Sequence, residues 1–244
     1  MSKVTLWLVA VLVAGPLLAQ TANKPAAKPP AAKPGTAKNG AAAVPIPPPP
    51  PPKVSPEEVQ VFVRQRGERR FADLLVTARA MTVAAPTDPV GWGYLGEAQM
   101  RMGDWQQAAQ ALRMAVSLKS NSPADKMNLA TALVQVGIRR LRLGYAASDV
   151  ELLWREAQVL DPENPWPHVC LADLAMKSGE PKQAEREYLR AVRVDAGCFA
   201  AYQGLARVYA TLGDVERARA CREAGAALAP PAGQSSLAAE VPAG

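Results

Sequence analysis

The sequence predicts an all-α fold assembled from one recurring helical unit, and three observations lead there. After Val54 the composition turns to Ala, Leu, Arg and Glu, with apolar residues at helical spacing. Landmarks then recur at a fixed interval: Pro123 lies 34 residues after Pro89, and Phe199 lies 34 residues after Pro165. Each interval carries a small residue early and a glycine near its middle, with alanines following, and such self-similarity marks a repeat architecture.

The elements follow in chain order. One positive charge at Lys3 precedes an apolar stretch from Val4 to Ala14, broken only by Thr5, and then Gly15-Pro16-Leu17-Leu18-Ala19-Gln20. This pattern resembles a secretory signal peptide over residues 1–19, cleaved after Ala19. The stretch falls short of the ~20 apolar residues a spanning helix needs. Because Leu17 and Leu18 carry the run past Pro16, retention as an anchor is the alternative. No cysteine lies near this site to take a lipid.

Residues 20–54 are built from Ala, Lys and Pro and end in six consecutive prolines, Pro47 to Pro52. Proline fixes φ and removes backbone donors, so the segment cannot join a helix or sheet interior. An extended polyproline tether is expected, in which the six-proline run alone spans roughly 20 Å. Between Met1 and Lys53 there are six lysines and no acidic residue, so the whole formal charge of +6 sits in this segment. The remainder is balanced at 22 basic and 22 acidic residues. A nucleic-acid partner is therefore not expected: the folded part offers no net positive field, and the lysine-bearing part has no aromatics to stack bases. The spaced lysines suit a peripheral contact with anionic envelope polymer or lipid.

The repeats begin at Val54. Residues 55–88 form a divergent first unit or capping hairpin, with Phe71, Leu74, Leu75, Ala78 and Met81 as its helical stripe. Residues 89–122 read Trp92-x-x-Leu95-Gly96, then Gly103-Asp104-Trp105, then Ala108-x-x-x-Leu112-x-x-Ala115. Residues 123–164 repeat the first half as Leu129-Ala130 and Gly137 but are eight residues longer, an insertion expected near 138–145 that includes Arg139, Arg140 and Arg142. Counting forward puts the turn at Gly137 and counting back from Ala157 and Pro162 puts it at Tyr145, so the insertion is expected to lengthen the first helix and add a loop at Gly144-Tyr145. Residues 165–198 show Leu171-Ala172, Gly179 and Ala184-x-x-x-Tyr188-x-x-Ala191. Residues 199–230 show Tyr202-x-x-Leu205-Ala206-x-x-Tyr209, Gly213-Asp214 and Ala218. A disordered tail is expected at 231–244, and no helix-forming stretch follows Pro230-Pro231.

These motifs resemble the tetratricopeptide (TPR) family, whose 34-residue unit is a helix–turn–helix and whose units stack into a right-handed superhelix. The physical logic agrees. Gly96, Ala130, Ala172 and Ala206 let the two helices of a unit approach closely, and Ala108, Ala184 and Ala218 do the same from the second helix. Gly103, Gly137, Gly179 and Gly213 are expected to end first helices in the left-handed conformation. Asp104 and Asp214 are expected to cap the helices that follow.

The resemblance implies a binding scaffold whose concave groove is lined by first helices. Its groove positions carry over to Glu97 and Arg101, then Thr131 and Gln135, then Asp173 and Lys177, then Arg207 and Thr211. A peptide or protein partner is expected, in envelope assembly or maintenance. The alternative is a structural subunit that assembles through its uncapped C-terminal repeat.

No catalytic machinery is expected. Gly91-x-Gly93-x-x-Gly96 spells a dinucleotide fingerprint, but it follows Pro89 rather than a strand, and its third glycine is the packing glycine. The one histidine, His168, has no ligand set around it, so neither metal nor cofactor is expected. Cys170, Cys198 and Cys221 serve as small hydrophobes or include one disulfide.

Overall fold

Ten helices follow one another across residues 49–228, which are the residues the computed structural model describes. The signal-peptide segment, most of the tether and the C-terminal tail lie outside them. The helices are α1 (Pro56–Gly67), α2 (Phe71–Ala84), α3 (Pro89–Arg101), α4 (Trp105–Ser117), α5 (Pro123–Arg142), α6 (Ala147–Leu160), α7 (Trp166–Lys177), α8 (Pro181–Val194), α9 (Phe199–Thr211) and α10 (Val215–Leu228). Each packs on its neighbours in sequence, and the odd-numbered first helices α3, α5, α7 and α9 also touch in succession. Among the described residues no two second helices pack comparably, so units are joined more closely through their first helices.

Local chemistry sets the helix ends. Ser55 and Glu58 form a reciprocal capping box ahead of Pro56, each side chain accepting from the other's backbone N–H. Asp88 accepts from Val90 N at 3.0 Å to cap α3, and from Val54 N at 2.8 Å. Asp214 caps α10 by accepting from Arg217 N at 2.9 Å, whereas Asp104 makes no side-chain cap. First helices end on glycines with positive φ: Gly103 at +79°, Gly144 at +81°, Gly179 at +75° and Gly213 at +78°. After α1 and α4 the same conformation falls on Arg69 (φ +57°) and Lys119 (φ +60°), where Cβ meets the carbonyl. Arg69→Gly and Lys119→Gly should therefore each raise stability by about 0.5–1 kcal/mol, read as a shifted urea midpoint at unchanged slope.

Close approach between helices depends on glycines facing large side chains. A β-carbon at Gly96 would overlap Leu112, one at Gly137 the Trp154 ring, and one at Gly204 the Tyr188 ring. The other two glycines of the apparent dinucleotide fingerprint lie inside α3 for the same reason, Gly91 against the backbone of Met81 and Gly93 against Asp125.

The second unit has the lengthened first helix and the loop at Gly144-Tyr145 that backward counting gives, and corrects the forward count. Gly137 does not end a helix; it is buried within α5, and the left-handed turn residue is Gly144. Helix α5 has 20 residues where α3 has 13. Counted forward from Gly96, the small packing position falls on Ala130, but α6 sets Trp154 against Gly137, seven residues later. Seven residues are nearly two full turns, so Ala130 and Gly137 share one face about 10 Å apart. The N-terminal half of α5 meets α3, where Asp125 lies against Gly93, while its C-terminal half receives α6. One helix thus carries two registers, and the stack steps along it.

Candidate functional site

The first-helix side carries polar residues held by neighbouring units. On α3, Glu97 accepts from Arg101 Nε at 3.1 Å and Nη2 at 2.9 Å, four residues along the same helix. Glu97 also lies 3.4 Å from Arg66 Nη1 on α1. Arg66 escapes the sequence reading because the first unit has no small–large signature from which to count. Beside this cluster, Asp125 is buried in the first turn of α5 and accepts from Ser120 Oγ. Burial raises its carboxyl above the ordinary range, the Ser120 hydrogen bond opposes this, and the negative charge of Glu97 adds to the rise.

A second cluster joins α7, α8 and α9. Tyr188 is fully buried and seats its ring on Gly204. Its hydroxyl donates to Asp173 Oδ1 at 2.5 Å, and Arg207 Nη2 donates to Asp173 Oδ1 at 2.7 Å and to the Tyr188 oxygen at 3.2 Å. Burial, then the Asp173 charge, push the phenol far above its ordinary value, so it stays a donor. Arg207 keeps 58 % of its side chain exposed while Asp173 and Tyr188 hold one of its nitrogens. Tyr188 is a functional candidate that sequence reasoning took only for packing. Its signal was a large polar-tipped ring where α4 has Leu112.

The remaining sequence-derived positions differ. Thr131 Oγ1 donates to Met127 O at 3.1 Å and Thr211 Oγ1 to Arg207 O at 3.0 Å, so both hydroxyls serve their own helices. Gln135 is half-buried on α5, and Lys177 is exposed at the end of α7. The structure thus brings together Glu97 with Arg101 and Asp173 with Arg207. It leaves Thr131, Gln135, Lys177 and Thr211 outside those pairs. In the register set by α6, the α5 equivalents of Glu97 and Arg101 are Ile138 and Arg142.

His168 is engaged elsewhere, in a polar knot between α6, α7 and α8. Its Nδ1 lies 2.8 Å from Glu187 Oε2, and Glu187 Oε1 accepts from Arg190 Nη1 at 2.8 Å and Arg155 Nη1 at 3.1 Å. Burial pushes the Glu187 carboxyl up, but the hydrogen bonds from His168 and Arg155 and the charges of Arg190 and Arg155 outweigh it, holding the group at about 2. A carboxyl lower in the folded than in the unfolded chain stabilises above the unfolded value, and that share is lost as pH falls toward the folded value. Melting temperature should therefore drop between about pH 4.5 and pH 2, and Glu187→Gln should flatten that window while lowering stability at pH 7. Circular dichroism melts across that range check it.

The three cysteines are free thiols, and burial pushes those of Cys170 and Cys198 up. Among the described residues no helix is long and apolar enough to cross a membrane.

Comparison with known proteins agrees with this architecture. Tetratricopeptide repeat models match residues 171–232 and 89–114. Cellulose synthase operon protein C of Xanthomonas axonopodis pv. citri (strain 306) is 32 % identical over 155 residues, which is 63 % of this chain but only 10 % of that protein. Among solved structures, MamA 41-end from Desulfovibrio magneticus RS-1 superposes with a TM-score of 0.54 at 14 % identity, over 70 % of this chain and 93 % of its own. YrrB, a TPR protein with an unusual peptide-binding site, gives 0.53 at 12 % identity, over 73 % of this chain and 88 % of its own. Those two likenesses speak to the fold, and the sequence matches identify tetratricopeptide repeats at residues 171–232 and 89–114, within the five stacked helix pairs.

Proposed function

We propose that this chain is an exported scaffold that binds a peptide or protein partner along its first-helix side, in assembly or maintenance of the cell envelope. The observation that carries the reading is the preset Asp173–Tyr188–Arg207 cluster, which holds an exposed guanidinium at a junction between units. Fixing a donor before binding lowers the entropy that a partner's arrival would cost. Glu97 and Arg101 act in the same way nearer the N-terminus, with Thr131, Gln135, Lys177 and Thr211 completing the proposed surface. Export rests on residues 1–19 as a signal peptide and 20–54 as its tether. The partial likeness to cellulose synthase operon protein C suits an envelope setting.

The test is a random peptide display against the full chain, followed by affinity measurement of the selected peptides. Arg101→Ala with Lys177→Ala should weaken them at least tenfold, and unchanged affinity would overturn the groove assignment. For export, an alkaline phosphatase fusion after residue 54 should be active in a bacterial host. An inactive fusion would overturn the export reading alone.

A further inference from the structure

The step within α5 leaves a concentration of positive charge that helix chemistry does not require. A cation near the C-terminus of a helix offsets its dipole, and α3 and α7 each carry one, Arg101 and Lys177. Helix α5 ends with three: Arg139, Arg140 and Arg142. Arg101 is held by Glu97, and Arg140 lies 5.6 Å over the Tyr145 ring. Arg139, Arg142 and Lys177 are exposed, and among the described residues none has a carboxylate within 4.0 Å. Arg66, Arg113, Arg155 and Arg207 each have an acidic partner, whereas Arg186, Arg193 and Arg222 on α8 and α10 have none among the described residues, so clustering at one helix end is what distinguishes the α5 cations.

Register sets Arg142 and Lys177 at equivalent positions, and helical spacing sets Arg139 beside Arg142. Asp173 and Arg207, 34 residues apart, meet at 2.7 Å, so equivalent positions on the adjacent first helices α7 and α9 lie side by side. In the register that α6 imposes, Arg142 is equivalent to Arg101, and Lys177 holds that position on α7, which touches α5. Arg139 sits one turn before Arg142 on the same face. Leu143 and Tyr145, both exposed, follow Arg142 in the chain.

We propose that the lip formed by Arg139, Arg142 and Lys177 docks an acidic segment of a protein partner. Its carboxylates take the three cations, and an apolar or aromatic residue of the segment covers Leu143 and Tyr145. Charge complementarity selects the occupant, since unpaired guanidinium groups recognise carboxylates through charge-assisted hydrogen bonds. A peptide is favoured over a lipid surface because only two large apolar side chains stand beside the charges, and the cations lie along a lip between two helices. The inference rests on the partner-binding reading above and gives it a substrate class.

Fluorescence anisotropy with the full chain tests it, using labelled nonapeptides Gly-Glu-Glu-Glu-Trp-Glu-Glu-Glu-Gly and Gly-Lys-Lys-Lys-Trp-Lys-Lys-Lys-Gly. The Glu peptide should bind in low salt, weaken as salt screens the charges, and outcompete the Lys peptide at least tenfold. R139Q/R142Q/K177Q should lose at least tenfold in affinity. R139K/R142K/K177R should retain binding, as should R186Q/R193Q/R222Q, which removes equal charge from α8 and α10. Equal binding of the two peptides, an unaffected first triple variant, or an equal loss in the α8–α10 variant would overturn the proposal. So would binding confined to phosphatidylglycerol vesicles. If display-selected peptides bind through Arg101 and Lys177 yet carry no acidic bias, the acidic-partner inference fails and the scaffold reading stands.

Discussion

Gly204→Ala is expected to destabilise the repeat array by about 3 kcal/mol, because the added methyl has nowhere to go. It would enter the ring of Tyr188, a fully buried side chain pinned at its other end by Asp173 and Arg207. Relief requires α9 to move off α8 or the ring to leave its site, and either breaks the hydroxyl contact with Asp173. For a domain of this size the loss corresponds to a melting temperature lower by roughly 6–12 °C. Peptide binding should fall with it, since Arg207 loses the partners that orient it. Tyr188→Ala in the same chain removes the obstacle, so the two substitutions together should cost far less than the sum of each alone. Strict additivity would show that the ring and the glycine are not coupled and would remove the structural basis for a preset cluster.

How legible this was from sequence differs by element. The helices and their pairing followed from in-phase recurrence, because each hairpin buries its apolar face only against the next and so must repeat its pattern. Glu97, Arg101, Asp173 and Arg207 were named from sequence only as groove positions; the pairing of Glu97 with Arg101 and of Asp173 with Arg207 comes from the structure. Tyr188 was legible only as bulk, because its hydroxyl contact depends on how deeply the ring seats on Gly204. Arg66 was hidden in a unit without landmarks. The sequence offered two positions for the second unit's turn, Gly137 by forward count and Gly144-Tyr145 by backward count, because two registers seven residues apart present almost the same helix face. Forward counting follows the one set at the start of α5, while Trp154 selects the other.

That selection makes Trp154 the residue on which the C-terminal half of the stack is aligned. It is nearly fully buried, its ring lies on Gly137, and its Nε1 donates to Val134 O at 3.2 Å, so it contacts α5 over a full turn. Trp154→Ala should cost about 3–5 kcal/mol, the range for emptying a buried aromatic site. Because stability in a repeat array is a sum of units and neighbour interfaces, the loss should concentrate at the α5–α6 seam. Hydrogen exchange should then speed up in α5 and α6 before α9 and α10. Gly137→Ala separates register from mere bulk. In the wild-type chain it should destabilise by about 2–3 kcal/mol through overlap with the indole. In the Trp154→Ala background the overlap is gone, and the same change should stabilise by up to about 1 kcal/mol, the helix-propensity gain of alanine over glycine. A reversal of sign between the two backgrounds is the signature of a register fixed by one ring on one glycine; the same sign in both would mean that something other than Trp154 aligns α6 on α5.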